Sequence, residues 1–249
     1  MDMTLIVFSL LATFIAAALT VPAGFGLATM LTPVVFLWLE PHEGIAVVAV
    51  VHGSHNAWKL KLLRKSVDFE AVRRFGWALV LGALIGASLN TIVESEPLLL
   101  LVGVALILLP ILSVTERWTN FRLPDAEDRI GGFGSGLFGG LTGHQGALRA
   151  MFLQKRLPNK TEYAATAAIL ALVVDLTRIP VYLALEGWQI FNAGWLILGL
   201  VIAAILEVQL GKKWLVKWKS DSIRKGILLA IILSGIMYIR EALIALEYI

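Results

Sequence analysis

The stretch "GGLTGHQGALRAMF", residues 139–152, places glycine at 139, 140, 143 and 146 and sets His144, Gln145 and Arg149 among them. Long apolar runs lie on either side. Glycine weakens a helix by about 1 kcal/mol relative to alanine, and an arginine surrounded by hydrocarbon costs at least about 2.5–3.5 kcal/mol. The tract therefore marks a place where the chain leaves regular helix and carries polar groups at a depth that penalises both.

That the surroundings are lipid follows from composition. Of 249 residues, 58% are hydrophobic and 16% charged, where soluble domains carry about 45–50% and about 25%. One soluble core cannot hide that excess. Apolar runs at 44–62, 76–93, 97–114, 163–185, 193–210 and 226–246 approach the ~20 residues that cross about 30 Å of hydrocarbon. The net charge of +3 comes from basic residues gathered in short loops, so it reports topology, and nucleic acid is not an expected partner. The absence of cysteine excludes disulfides, thiolate metal sites and cysteine nucleophiles. "MDMTLIVFSLLATF" has no basic n-region and reads as a membrane segment of the mature chain.

Lys59, Lys61, Arg64, Lys65, Arg73 and Arg74 place the 59–74 loop in the cytoplasm, and Lys212, Lys213, Lys217, Lys219, Arg224 and Lys225 do the same for 211–225. The connections 93–97 and 185–191 lack Lys and Arg and belong outside. Span 97–114 then ends inside, and span 163–185 begins inside. The segment 130–153 between them must enter and leave on one side, as a re-entrant hairpin whose glycine-rich turn lies at mid-membrane. The apolar segment 4–39, interrupted by "VPAGFG" at 21–26, is the matching hairpin from the other side, which puts the N-terminus outside. The expected fold is an all-α integral membrane protein with an inverted-topology repeat. Each half is a Gly-broken re-entrant hairpin plus three transmembrane helices: residues 1–115 and 130–249, joined by a cytoplasmic linker at 116–129. The likeness of 75–89 to 192–206, and of 23–31 to 144–152, supports the duplication. Eight plain crossings with parallel halves is the alternative.

Irregular backbone at lipid depth is tolerated only where protein or a watery cavity surrounds it, and broken half-helices present free N–H groups to anionic substrates. Gly24, Phe25 and Gly26 would open one half-helix; Gly143, His144, Gln145 and Gly146 would open the other. For Gly131–Gly140 close helix packing is the expected role. Arg149, one turn past Gly146, would pair with a sulfonate, sulfate or carboxylate, or form a structural ion pair or reach back to the cytoplasm. Asp175 and Arg178, three apart, can form a local ion pair; alternatively Arg178 binds the anion and Asp175 couples a proton or orients the arginine. His52, His55, Asn56 and Lys59 make one polar stripe, in which His55 and Asn56 would line the cavity, His55 could carry a coupling proton, and Lys59 marks the cytoplasmic boundary.

No HExxH, GxxxxGK[ST] or GxSxG occurs, so neither an enzyme nor a metal or other cofactor is expected. Expected partners are the bilayer, a small anion and a coupling ion, proton or sodium.

"VPAGFGLATMLTP", "GSGLFGGLTGHQGALRAMFL" and "VDLTRIPVY" together resemble the TauE/SafE sulfite-exporter family, over nearly the whole chain. The resemblance implies movement of sulfite, sulfonates or other small organic anions across the plasma membrane, coupled to an ion gradient. Many members run several glycines together in the second motif where this chain has His144-Gln145 and then Arg149, which points to a specialised subgroup. A passive anion facilitator is the first alternative. An intramembrane enzyme or a membrane scaffold is the other class.

Overall fold

The computed structural model describes residues 3–23, 27–115, 127–187, 194–214 and 221–248, and the described residues are helical with short turns. In chain order the helices are α1 (Met3–Ala23), α2 (Leu27–Val35), α3 (Pro41–Leu63), α4 (Phe69–Ile92), α5 (Ser95–Thr115), α6 (Glu127–Thr142), α7 (Gly146–Arg156), α8 (Lys160–Glu186), α9 (Gly194–Trp214) and α10 (Asp221–Ala245). The six runs expected as single spans each become one long helix. Pro41 opens α3 at its first turn, Asp68 Oδ1 caps α4 by accepting from the Ala71 N–H at 2.9 Å, and Asn159 Oδ1 caps α8 through the Thr161 N–H at 2.9 Å. α8 continues unbroken through Pro180 to Glu186, where Gly187 at φ 76° ends it.

Two of these helices, Phe69–Ile92 and Thr161–Ala184 within α8, are long and apolar enough to cross a membrane; shorter apolar stretches lie at Ile6–Ala18, Ser95–Leu108 and Gly194–Val208. α4 turns Trp77, Leu81, Leu84, Ile85 and Leu89 outward and Ala78, Gly82, Ala83, Gly86 and Ala87 inward. Large residues outside and small ones at the contact is the pattern of a helix whose surroundings are lipid. The protein is an all-α membrane protein.

The segment 130–153 is broken into two helices by residues 143–145. With 16 and 11 residues, α6 and α7 are about 24 and 16 Å long, each short of the hydrocarbon thickness. Their outer ends meet: Arg156 bonds Asp128 at 2.5 Å, and Phe152 fills the space beside Gly131. The other broken pair closes the same way, with Trp38 Nε1, just past α2, donating to Ser9 Oγ of α1 at 2.7 Å. Gly24, Phe25 and Gly26, assigned above to the first tip, lie outside the described residues, as does most of the 116–129 linker.

α6 lies on α4 backbone to backbone. A Cβ at Gly132, Gly136 or Gly140 would overlap the carbonyls of Phe75, Leu79 and Ala83 in turn, and one at Gly82 or Gly86 would overlap those of Phe133 and Leu137. The register rises together on both helices, so they run parallel. Close packing is thus what the glycines of 131–140 provide, except Gly134, which faces open space.

The packing has an internal regularity. α1 lies against α9 as α6 lies against α4; α9 lies against α3 as α4 lies against α8; α3 meets α8, and α5 meets α10. Exchanging the first five helices with the last five carries these pairs onto one another. One buried core joins α1, α2, α3 and α9, and a second joins α4, α7 and α8, with α6 against α4. Each bundle therefore takes its broken pair and the following helix from one half of the chain, and one helix from the other half. A third core, around Ile45, Ala87, Leu98 and Tyr182, lies between them with α5 and α10.

Candidate functional site

The end of α6 is the structural problem this fold must solve. A helix that stops inside protein leaves its last carbonyls without intrahelical donors, and water is not at hand. Gly139 O, which also accepts from the Gly143 N–H at 3.2 Å, accepts from Arg178 Nη1 at 2.9 Å, Gly140 O from the Tyr182 hydroxyl, and Leu141 O from Asn90 Nδ2 at 2.8 Å. Phe138 O accepts from Thr142 Oγ1 at 3.0 Å. Consecutive carbonyls are thus capped by side chains from α8 and α4. A guanidinium at the negative end of a helix dipole is favourable in addition. Gly143 then reverses the chain at φ 84°, a left-handed conformation in which glycine carries no steric penalty.

Arg178 is held from its other edge by Asp175. Nε and Nη2 both donate to Asp175 Oδ1, at 3.0 and 2.7 Å, while Asp175 Oδ2 lies 2.7 Å from His52 Nδ1 on α3. The ion pair expected from the i, i+3 spacing is formed, and it is fully buried. The chain His52–Asp175–Arg178–Gly139 links α3 to α8 and α8 to the end of α6.

α7 starts at Gly146, directly after the reversal, with Gln145 as its N-cap residue. Its first N–H groups have no intrahelical acceptor. Ser135 Oγ of α6 donates to Gln145 O at 3.1 Å and fixes the turn. Arg149 Nη1 donates to Gln145 Oε1 at 2.7 Å, and among the described residues Arg149 forms no ion pair. His144, Gln145 and Arg149 are 0%, 1% and 5% exposed. Despite that burial, His144 Nε2, Gln145 Nε2 and Arg149 Nε have no hydrogen-bond partner. The other atoms in that condition among the described residues, His42 Nδ1 and Trp58 Nε1, belong to α3. Buried polar groups are otherwise nearly always paired, so three orphans on one six-residue tip set it apart.

The residues picked out by sequence divide into groups. Gly143, His144, Gln145, Gly146, Arg149, Asp175 and Arg178 come together around the second tip. His55 and Asn56 are buried, but His55 Nδ1 faces Ala204 O of α9 at 3.2 Å and Asn56 Nδ2 bonds its own helix at His52 O, 2.8 Å away. It is His52, one turn earlier, that reaches Asp175. Asn90, Tyr182, Ser135 and Thr142 were not singled out by sequence. Their signal, a polar group inside an otherwise apolar or glycine-rich run, is weak for residues of these types. Glu207 of α9 was also missed; it is 3% exposed and lies within electrostatic reach of Lys59.

Neither the curated proteins nor the solved structures yield a match. A family model described as "Sulfite exporter TauE/SafE" matches residues 9–238. That match spans most of the chain and takes in both broken helix pairs: the chain belongs to the sulfite exporter TauE/SafE family of membrane transporters.

Proposed function

We propose that this protein is a secondary transporter of small sulfur-containing or organic anions in the plasma membrane, working by alternating access, with the anion held at the tip between α6 and α7. The observation that carries the reading is the set of unpartnered buried atoms on His144, Gln145 and Arg149, at the start of α7, where the N-cap residue Gln145 makes no side-chain cap bond. Buried donors and acceptors with no partner within the protein suit a polar guest. Arg149, without a carboxylate of its own, supplies the charge. Arg178, already committed to Asp175 and Gly139, holds the tip in place and adds its field to the site.

The membrane orientation in this reading starts from the basic 59–74 loop on the cytoplasmic face. α4 then runs outward. α6, parallel to it, enters from the cytoplasm, and the Asp128–Arg156 bond returns α7 to the same face. The exchange regularity of the packing supports an inverted repeat of 1–115 and 130–249. Leu10 of α1 meets Gly199 of α9, each within two turns of its helix start, which supports entry of the first hairpin from outside.

Access alternates by motion of the two interlocked bundles, α1–α2–α3–α9 against α6–α7–α8–α4, and not of the two sequence halves, because α4 is locked to α6 across the halves. The His52–Asp175 contact bridges the bundles and is placed to couple ion movement to that motion. Purified protein in liposomes, loaded with sulfite, sulfonates or carboxylates and assayed with and without a pH or sodium gradient, tests the reading. Gradient-driven accumulation of at least one anion is expected; downhill flux alone would make the protein a facilitator, and no flux of any would refute transport.

A further inference from the structure

The hydrogen-bond inventory of the tip carries the reading above one step further, to the protonation state of the guest. Thr142 Oγ1 donates its single hydrogen to Phe138 O at 3.0 Å, so toward His144 Nδ1, 3.2 Å away, it can only accept. His144 Nδ1 therefore bears the hydrogen, and in the neutral imidazole Nε2 is a bare lone pair: a buried acceptor with no donor. Gln145 is oriented by Arg149, whose Nη1 takes Oε1, so its unpartnered atom is an N–H donor. Arg149 Nε is a second donor. The tip thus offers two donors and one acceptor.

Charge limits the guest as well. Among the described residues around the tip, Arg178 is ion-paired with Asp175 and Arg149 lies only within electrostatic reach of that carboxylate, so two guanidiniums share one formal negative charge. Lys59 of α3 lies within electrostatic reach of Arg149 as well as of Glu207 on α9, and its formal charge is matched by that of Glu207.

A fully deprotonated oxyanion brings acceptors only. It satisfies Gln145 and Arg149 and leaves the buried His144 lone pair facing another lone pair. A monoanion that keeps one hydroxyl satisfies all three. We propose that the tip, taken as the anion site, recognises a protonated oxyanion of single negative charge, of the hydrogen sulfite type, whose hydroxyl donates to His144 Nε2 while its bare oxygens accept from Gln145 and Arg149. The proton then crosses with the anion, on the guest itself.

Methylphosphonate carrying a single proton and methanesulfonate are probes of nearly the same shape and the same charge, differing by one hydroxyl hydrogen. Their competition against radiolabelled sulfite is measured on the purified full chain, at a pH where methylphosphonate is the monoanion. Methylphosphonate is expected to compete about tenfold better, the ratio that one unsatisfied buried acceptor imposes. His144→Phe should bring the ratio to one; His144→Gln, which has an acceptor of its own, should keep methylphosphonate ahead. Equal or better competition by methanesulfonate in the unmodified protein, or a ratio unchanged by His144→Phe, overturns the proposal. If sulfite binds and neither probe competes, the hydroxyl-recognition proposal falls while transport stands; if sulfite itself neither binds nor moves, the underlying reading of the tip falls with it.

Discussion

Arg178 of α8 donates through Nη1 to the carbonyl of Gly139, 2.9 Å away in the last turn of α6, while Asp175 grips the other side of the same guanidinium. One side chain thus ends a helix inside the protein and ties it to the central helix of the second half. The unpaired atoms of the tip are held where they are because the carbonyls behind them are capped.

Breaking that pair should unfold the protein more readily than removing it. Arg178→Gln or Asp175→Asn alone leaves a buried group without its partner, and each should cost about 3 kcal/mol or more. The double variant should lose clearly less than the sum of the two. Arg178→Lys should not rescue, because an ammonium cannot bond Asp175 and Gly139 with the same fork. Denaturant unfolding in detergent measures this; strictly additive losses would mean the two side chains act independently.

Two glycines two residues apart should behave oppositely. A methyl at Gly136 meets the Leu79 carbonyl of α4, whereas one at Gly134 meets open space. Gly136→Ala should destabilise by about 1–3 kcal/mol, as overpacking does, and Gly134→Ala should be neutral or stabilising by up to about 1 kcal/mol. Thermal unfolding of the two variants side by side decides it. Equal effects would show that α6 does not approach α4 as described.

Arg149→Ala separates binding from folding. A charge-assisted hydrogen bond is worth about 1.5–3 kcal/mol, so affinity for the transported anion should fall by at least about tenfold. Stability should hold or rise, since a buried cation with no ion-pair partner is removed. Unchanged affinity with lost stability would make Arg149 a structural residue.

Much of this was readable in advance, for identifiable reasons. Hydropathy located the long helices, and the alternation of basic and non-basic loops forced 130–153 to turn back, because charge in short loops fixes side independently of packing. The tip was readable because His144, Gln145 and Arg149 have no cheap place at lipid depth. The caps were not. Asn90 sits near the end of α4, where a polar residue ordinarily meets the interface, and its acceptor lies 51 residues further on. Tyr182 looks like an interfacial anchor until Gly140 O is placed beside its hydroxyl.

Choosing between His52 and His55 was also beyond the sequence. Both lie on one stripe of α3, and which of them meets α8 depends on the rotation of α3 between α8 and α9. The pattern gives the stripe but not that angle. Glu207 was passed over because it falls near the end of its apolar run, where acids usually reach water; here it is buried. The interlocking of the bundles was equally hidden, since it rests on contacts between α4 and α6 and between α1 and α9 that no local pattern specifies.

The central claim is that the chain between α5 and α8 enters and leaves the membrane on one face, and the absence of native cysteine makes it directly measurable. Single cysteines are introduced at Arg129, at Pro158 and, for the opposite face, at Glu94, all exposed, and labelled with an impermeant maleimide in oriented vesicles. Arg129→Cys and Pro158→Cys should label from the same side, the cytoplasmic one, and Glu94→Cys from the other. Labelling of positions 129 and 158 from opposite sides would contradict the hairpin and the site built on its tip.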